Sequence, residues 1–228
     1  RGSRTQMRRS GQAHSEVVNG RPVYSAPHGE NVPALMDQFV EFLSNSTCVD
    51  ELVKSCMALL MFEAVSPFGE YSGRVGRAML VSLLEHYGLA QGHCVLVSPY
   101  LAEHRDEYVQ VLREAEMSGR SQGFILFMLR AIREGAFRTM QKLFTVDLVY
   151  VDVKEEMADS TLCNDALLNT IFEGIYCKSS NLIRNGIAER VTAMKYLRSL
   201  EEMGVLESEK VGREVVFKNV ALYDALTR

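Results

Sequence analysis

The chain has 228 residues, 47% of them hydrophobic and 24% charged, and a net charge of −4. That length holds one large or two small domains, and the composition is ordinary for a water-soluble globular protein. The negative balance excludes a global basic field for nucleic acid. No apolar run approaches the roughly 18 residues of a membrane span and no signal peptide is visible, so a cytoplasmic protein without a membrane partner is expected. The five cysteines (48, 56, 94, 163 and 177) are an odd set at wide spacings. They match neither a zinc site nor a disulfide framework and read as reduced core thiols. The five histidines do not cluster either.

Residues 1–30 are polar and carry Gly2, Gly11, Gly20, Gly29, Pro22 and Pro27, which reads as loop or hairpin. Val17, Val18, Asn19 and Gly20, followed by Pro22, Val23 and Tyr24, predict two short strands around an Asn-Gly turn. Pro33 suits the first turn of a helix, and Val32, Leu35, Met36, Phe39 and Phe42 follow at helical spacing. The next helix, about 49–65, is apolar nearly all round, the mark of a central buried helix, and Pro67 stops it. Residues 75–87 predict another, with Gly88 at its C-cap. Ser98 and Pro99 supply an N-cap and first helical position for a helix to about Met117, closed by Gly119. Ser121 opens one more, through Phe124, Phe127, Met128, Ile132, Phe137 and Leu143. Five helices by Leu148 with little strand signal predict an all-α domain over residues 1–150, with the flap region at 1–30.

Composition then shifts. Residues 151–159 are charged and read as a linker. Residues 160–228 show a helix near 165–177, a short one near Ser180, an Asn185-Gly186 turn, and a helix over 188–203 ended by Gly204. Strand-like runs at 205–211 and 213–218 flank Gly212. Three helices followed by a hairpin predict a C-terminal winged helix-turn-helix domain.

The chemistry concentrates in residues 66–77, SPFGEYSGRVGR. Backbone N–H groups at a helix N-terminus, with Arg74 and Arg77 beside them, favour a phosphate-like anion. The lysine and Ser/Thr of a P-loop are absent. Two readings stay open from the local pattern: an anion-binding loop, and a structural turn whose arginines are solvated or paired.

The longer stretch KSCMALLMFEAVSPFGEYSGRVGRAML resembles the core of Fic-domain proteins, whose motif is H-P-F-x-[DE]-G-N-G-R-x-x-R after a buried helix. RTQMRRS and VYSAPHGENVPALMDQFVEFL are similar to the family's flap and next helix, and LVSPYLAEHRDEYVQVL to the helix beyond the motif. GIAERVTAMKYLRSLEEMGVL and GREVVFKNVALYDAL resemble the winged helix that many Fic proteins carry. The resemblance implies a Fic-fold helical bundle with a small β-hairpin flap. It also implies transfer of AMP from Mg-ATP to a protein hydroxyl.

In the family the motif histidine is the general base, the acid holds the metal, the Gly-Asn-Gly turn makes the anion hole and the two arginines hold the outer phosphates. This chain keeps Pro67, Phe68, Glu70, Gly73, Arg74 and Arg77. It has Ser66 at the base, and Tyr71 and Ser72 at two anion-hole positions. A neutral hydroxyl is a poor base near pH 7, and losing a positioned base costs about 10²–10⁴ in rate. Losing an oxyanion-type donor costs roughly 10²–10³.

The expectation is therefore a degenerate, catalytically impaired member acting by nucleotide or partner binding. The alternatives are a residual or altered nucleotidyl or phosphoryl transferase, and a winged-helix DNA-binding regulator. ATP with Mg is the cofactor expected if Glu70, Tyr71, Ser72, Gly73, Arg74 and Arg77 still hold phosphates, with Glu70 on the metal. None is expected if Tyr71 plugs the pocket. Glu70 has a second reading, as an ion-pair partner of one arginine. The family's inhibitory [ST]-x-x-x-E-[GN] helix has no match in the chain.

In the C-terminal part, Arg190, Lys195 and Arg198 are the candidate DNA contacts. They alternate with Glu189, Glu201 and Glu202, while Lys210, Arg213 and Lys218 on the wing face Glu207, Glu209 and Glu214. So balanced a surface suits a protein partner or dimerisation better than DNA. A protein target at the flap and a homo-oligomer complete the expected partners.

Overall fold

The computed structural model describes residues 6–227 except 10, 13, 19, 20, 46–48, 93, 159, 161, 163 and 213, with 15–24 described by backbone alone. It divides into two compact units, 1–139 and 140–228.

The first unit opens with an antiparallel hairpin, β1 (Ser15–Val18) and β2 (Arg21–Ser25), whose register shifts between Glu16 and Val17. The predicted turn residues Asn19 and Gly20 lie outside the described residues. Helices α1 (Val32–Asn45) and α2 (Glu51–Val65) come next. Asp50 caps α2 by accepting from the N–H groups of Leu52 and Val53, at 3.0 and 3.2 Å. Cys56, Ala58 and Leu59 of α2 are fully buried, as an all-round apolar helix requires.

Helix α3 (Ser72–His86) packs on α2. Gly76 makes that approach possible: a Cβ there would lie 2.9 Å from Leu59 Cδ1 and 3.3 Å from Phe62 Cδ1. Helices α4 (Val97–Glu103), α5 (Arg105–Ser118) and the start of α6 (Gln122–Met157) complete the unit. Leu80, Leu84, Phe124, Phe127 and Met128 are core residues beside α2.

Four expectations need correction, the last of them in the second unit. The single helix expected from Ser98 to Met117 is two, because His104 leaves helical geometry (φ −114°, ψ 37°). Its ring stacks on Tyr100 at 4.1 Å between centroids, with Nδ1 3.0 Å from the Tyr100 carbonyl. The thiols are not all in the core: Cys56 and Cys177 are buried and Cys94 is exposed. Burial, with the Asp50 charge adding to it, pushes the Cys56 thiol up to about 12. Cys48 and Cys163 lie outside the described residues. Residues 151–157 are not a linker but the last two turns of α6. Val153 and Met157 enter the second unit's core, with Val149 and Tyr150 packed against it. The charges that read as a linker are the solvated face of an amphipathic helix.

The second unit contains the rest of α6, α7 (Asp165–Phe172), β3 (Tyr176–Cys177), α8 (Ser179–Arg184), α9 (Arg190–Glu202), β4 (Leu206–Val211), β5 (Glu214–Asn219) and α10 (Val220–Thr227). The helix expected to reach Cys177 ends at Phe172, and Tyr176 and Cys177 pair instead with Lys218 and Phe217. The three-stranded antiparallel sheet has the order β3-β5-β4. Gly212, at φ +63°, turns β4 into β5; Arg213, beside it, lies outside the described residues. Among the described residues, no helix is long and apolar enough to cross a membrane.

Gly76→Ala should leave stability within about 1 kcal/mol, since the helix propensity gained is about what the tight contact costs. Gly76→Leu should cost about 3 kcal/mol through overpacking. Urea unfolding midpoints of the two variants measure the difference.

Candidate functional site

The site is built where α2 stops. Ser66 takes a left-handed conformation (φ 46°, ψ 56°) and its N–H donates to the Phe62 carbonyl. It is the one non-glycine residue at positive φ among the described residues. That conformation costs an ordinary residue roughly 1–2 kcal/mol, so something must hold it. Pro67 prevents continuation of the helix. A 3₁₀ turn over Gly69–Tyr71 then leads into α3.

Arg8 is what holds the turn. It is buried, 7% exposed. Its Nε donates to the Ser66 carbonyl and its Nη2 to the Val65 carbonyl, both at 2.7 Å. Its Nη1 donates to the carbonyls of Pro27 at 2.8 Å and Gln12 at 3.2 Å. Its own N–H donates to the Pro67 carbonyl at 2.8 Å. The last carbonyls of a helix have no intrahelical donor, and the helix dipole favours a cation there. Arg8 meets both demands. Nothing in the local pattern of RTQMRRS marks Arg8 over Arg4 or Arg9; the contact spans 58 residues.

The candidate residues fall on two sides of the loop. Ser66 is 5% exposed and its hydroxyl donates to the Gly69 carbonyl at 3.3 Å. Ser72, 3% exposed, accepts from the Phe68 N–H at 2.9 Å. Both hydroxyls are thus engaged in holding the loop. Glu70 and Arg74 are exposed, and Arg77 is half-buried. Among the described residues, Glu70 forms no ion pair with Arg74 or Arg77. Tyr71 is 45% exposed, and the Arg74 guanidinium lies over its ring, 5.9 Å from the centroid.

Gly73 leaves the space that Arg77 uses. A Cβ at Gly73 would be 3.1 Å from Arg77 Nη1 and 3.9 Å from Glu63 Oε1. The Glu63 carboxylate, which accepts from the Tyr108 hydroxyl, borders the same space. A second group that the sequence does not single out is His14. Its Nδ1 is 3.5 Å from the point where a Cβ on Gly69 would be. It is distant in sequence and reaches the loop through the segment that leads into β1.

In the second unit, Arg190 and Lys195 are exposed on α9. Arg198 is committed: Nη1 donates to Glu201 at 2.6 Å and to Ser208 Oγ at 3.1 Å, with its guanidinium 5.5 Å from the Phe217 ring centroid. Lys218 is paired with Glu207 at 2.6 Å, and Lys178 with Glu214.

Two variants test the loop. Ser66→Gly should raise stability by up to about 1 kcal/mol by removing the left-handed penalty. Arg8→Ala should lower it by about 1–3 kcal/mol by stranding buried carbonyls. Thermal unfolding of both decides; equal effects of one sign would contradict the assignment.

Parts of the chain are similar to known proteins. Residues 139–222, nearly coincident with the second unit, match the family described as the C-terminal domain of SoFic-like protein adenylyltransferases. A probable protein adenylyltransferase from Aquifex aeolicus is 32% identical over 106 residues, covering 46% of this chain and 31% of its own length. The crystal structure of a Fic family protein from Desulfovibrio desulfuricans superposes with a TM-score of 0.53 at 23% identity, covering 94% of this chain and 62% of that one. The chain thus spans about a third of the first relative and under two thirds of the second. The sequence motif, the helical fold and these matches point the same way: residues 139–222 match the SoFic-like C-terminal family, and the chain's fold is similar to that of a Fic family protein.

Proposed function

We propose that this chain is a Fic protein with impaired AMP transfer whose motif loop acts by binding a nucleotide phosphate group or a partner. The observation that carries this is Ser66. A buried hydroxyl bonded to the Gly69 carbonyl occupies the position of the family's base. A neutral hydroxyl is a poor base near pH 7.

The phosphate half of the site fits its group better than the chemical half does. Glu70 offers an exposed carboxylate suited to Mg²⁺, Arg74 and Arg77 offer guanidinium forks suited to phosphate oxygens, and Gly73 keeps space beside Arg77 open. Mg-ATP, when bound, would supply an activated phosphoanhydride. The chain's own residues would orient its phosphates and neutralise their charge.

A second reading, residual or altered transfer, is favoured by one observation. His14 is a titratable group beside the loop that lacks its histidine. We further propose that the second unit is a winged helix, with α9 as its recognition helix and β4-β5 as its wing. Its pairing of Arg198, Lys218 and Lys178 with acids supports a protein-facing role over DNA binding, leaving Arg190 and Lys195 as the cations of α9 outside any ion pair among the described residues.

Calorimetry with Mg-ATP, joined to transfer of labelled AMP, tests these readings. Binding is expected, weakened about ten-fold or more (1.4 kcal/mol) by Arg77→Ala. Ser66→His should raise transfer by about 10²–10⁴ over the parent chain. Parent transfer equal to that of Ser66→His would refute impairment, and its loss in His14→Ala would establish the second reading. No binding of Mg-ATP would leave the partner role alone.

A further inference from the structure

Arg8 joins the hairpin to the motif loop through a short run of peptide groups, all within the first unit. The Val65, Ser66 and Pro67 carbonyls are consecutive and each accepts from Arg8, at 2.7, 2.7 and 2.8 Å. The Ser66 carbonyl also accepts from the Gly69 N–H at 3.2 Å. The Gly69 carbonyl in turn accepts from the N–H of Ser72, the first residue of α3. A chain of hydrogen bonds thus runs from the guanidinium to the start of the helix that carries Arg74 and Arg77. On its other side, Arg8 Nη1 donates to the Pro27 carbonyl at 2.8 Å and the Gln12 carbonyl at 3.2 Å. Gln12 precedes β1 and Pro27 follows β2, and between them the Ala26 N–H donates to the His14 carbonyl at 2.9 Å. These carbonyls therefore mark the open end of the hairpin.

We propose that Arg8 is a positioning residue for the motif loop, coupling the seating of the hairpin to the loop's affinity for phosphate. The proposal rests on the reading that the loop binds a nucleotide phosphate group. The guanidinium is planar and its donors keep fixed directions, so it cannot shift toward one set of carbonyls without leaving the other. It is 7% exposed, so water does not replace a bond it loses. A displacement of the hairpin's open end carries the Ser66 carbonyl, Gly69 and the start of α3 with it. Hydrogen bonds weaken steeply as they lengthen and bend, and a phosphate held by Arg74 and Arg77 registers that shift. His14 reinforces the link, its Nδ1 lying 3.5 Å from the point where a Cβ on Gly69 would be. Coupling between two sites is reciprocal. Phosphate at the loop must steady the hairpin by as much as a seated hairpin strengthens phosphate binding.

Calorimetry with Mg-ATP on the parent, Arg8→Ala and Arg8→Lys, each confirmed folded by circular dichroism, measures the first half of the coupling. Arg8→Ala should bind about ten-fold more weakly. Arg8→Lys should fall between, because an ammonium cannot span both sets of carbonyls. Leu101→Ala, a core change on α4, should lower the melting temperature at least as much and leave the affinity unchanged. Hydrogen exchange measures the second half. Saturating Mg-ATP should slow exchange of the hairpin amides, that of Ala26 among them, in the parent and not in Arg8→Ala.

Equal affinity in the parent and Arg8→Ala overturns the proposal, as does an equal loss in Leu101→Ala. So does protection of the hairpin by Mg-ATP that survives Arg8→Ala. If Arg8→Ala does not fold, Arg8→Lys carries the same comparisons. A parent chain that binds no Mg-ATP refutes the phosphate reading and the coupling together, whereas binding that is indifferent to Arg8 refutes the coupling alone.

Discussion

The buried end of α2 is the constraint around which the first unit is arranged. A helix that finishes inside a protein leaves carbonyl groups that water cannot reach. Here the next residue is also in a conformation that disfavours any side chain, and a proline comes after it. Arg8 resolves the carbonyl problem with one side chain, binding Val65 and Ser66 on one side and Gln12 and Pro27 on the other. The segment before β1, the segment after β2 and the start of the motif loop are thereby tied to one group. The guanidinium suits this because its donors fan out in a plane. The approach of Arg9 to Gly29, so close that a Cβ there would be 1.9 Å from the Arg9 carbonyl, fits the same seating.

Much of the fold is legible in the sequence because its helices carry local punctuation. Pro67, Gly88, Gly119 and Gly204 mark boundaries by backbone conformation, and the structure keeps them near the expected places. The site is legible at Ser66, Glu70, Arg74 and Arg77, because the motif's spacing identifies them. What is hidden depends on contacts distant in sequence. Arg8 and His14 reach the loop from some fifty residues away, and no periodicity announces them. The end of α6 misleads for a different reason: residues 151–157 are rich in charge, and charge alone does not distinguish a linker from the wet side of a helix. Val149, Val153 and Met157 carry the helical spacing through it.

The loop therefore combines two kinds of residue. Ser66 and Ser72 face inward and stabilise the turn, while Glu70, Tyr71 and Arg74 face outward. Loop shape and loop chemistry are held by different groups. Arg8 grips backbone carbonyls, so its contacts with the turn do not involve the side chain at position 66.

The continuity of α6 into the second unit's core limits how the chain can vary in length. An inserted residue advances a helix by 1.5 Å and rotates all later residues by 100°. One insertion near residue 150 would carry Val153 and Met157 off the side that the core requires, while loops elsewhere would absorb the same change. The stretch that looks most like spacer by composition is thus among those least able to tolerate insertion or deletion.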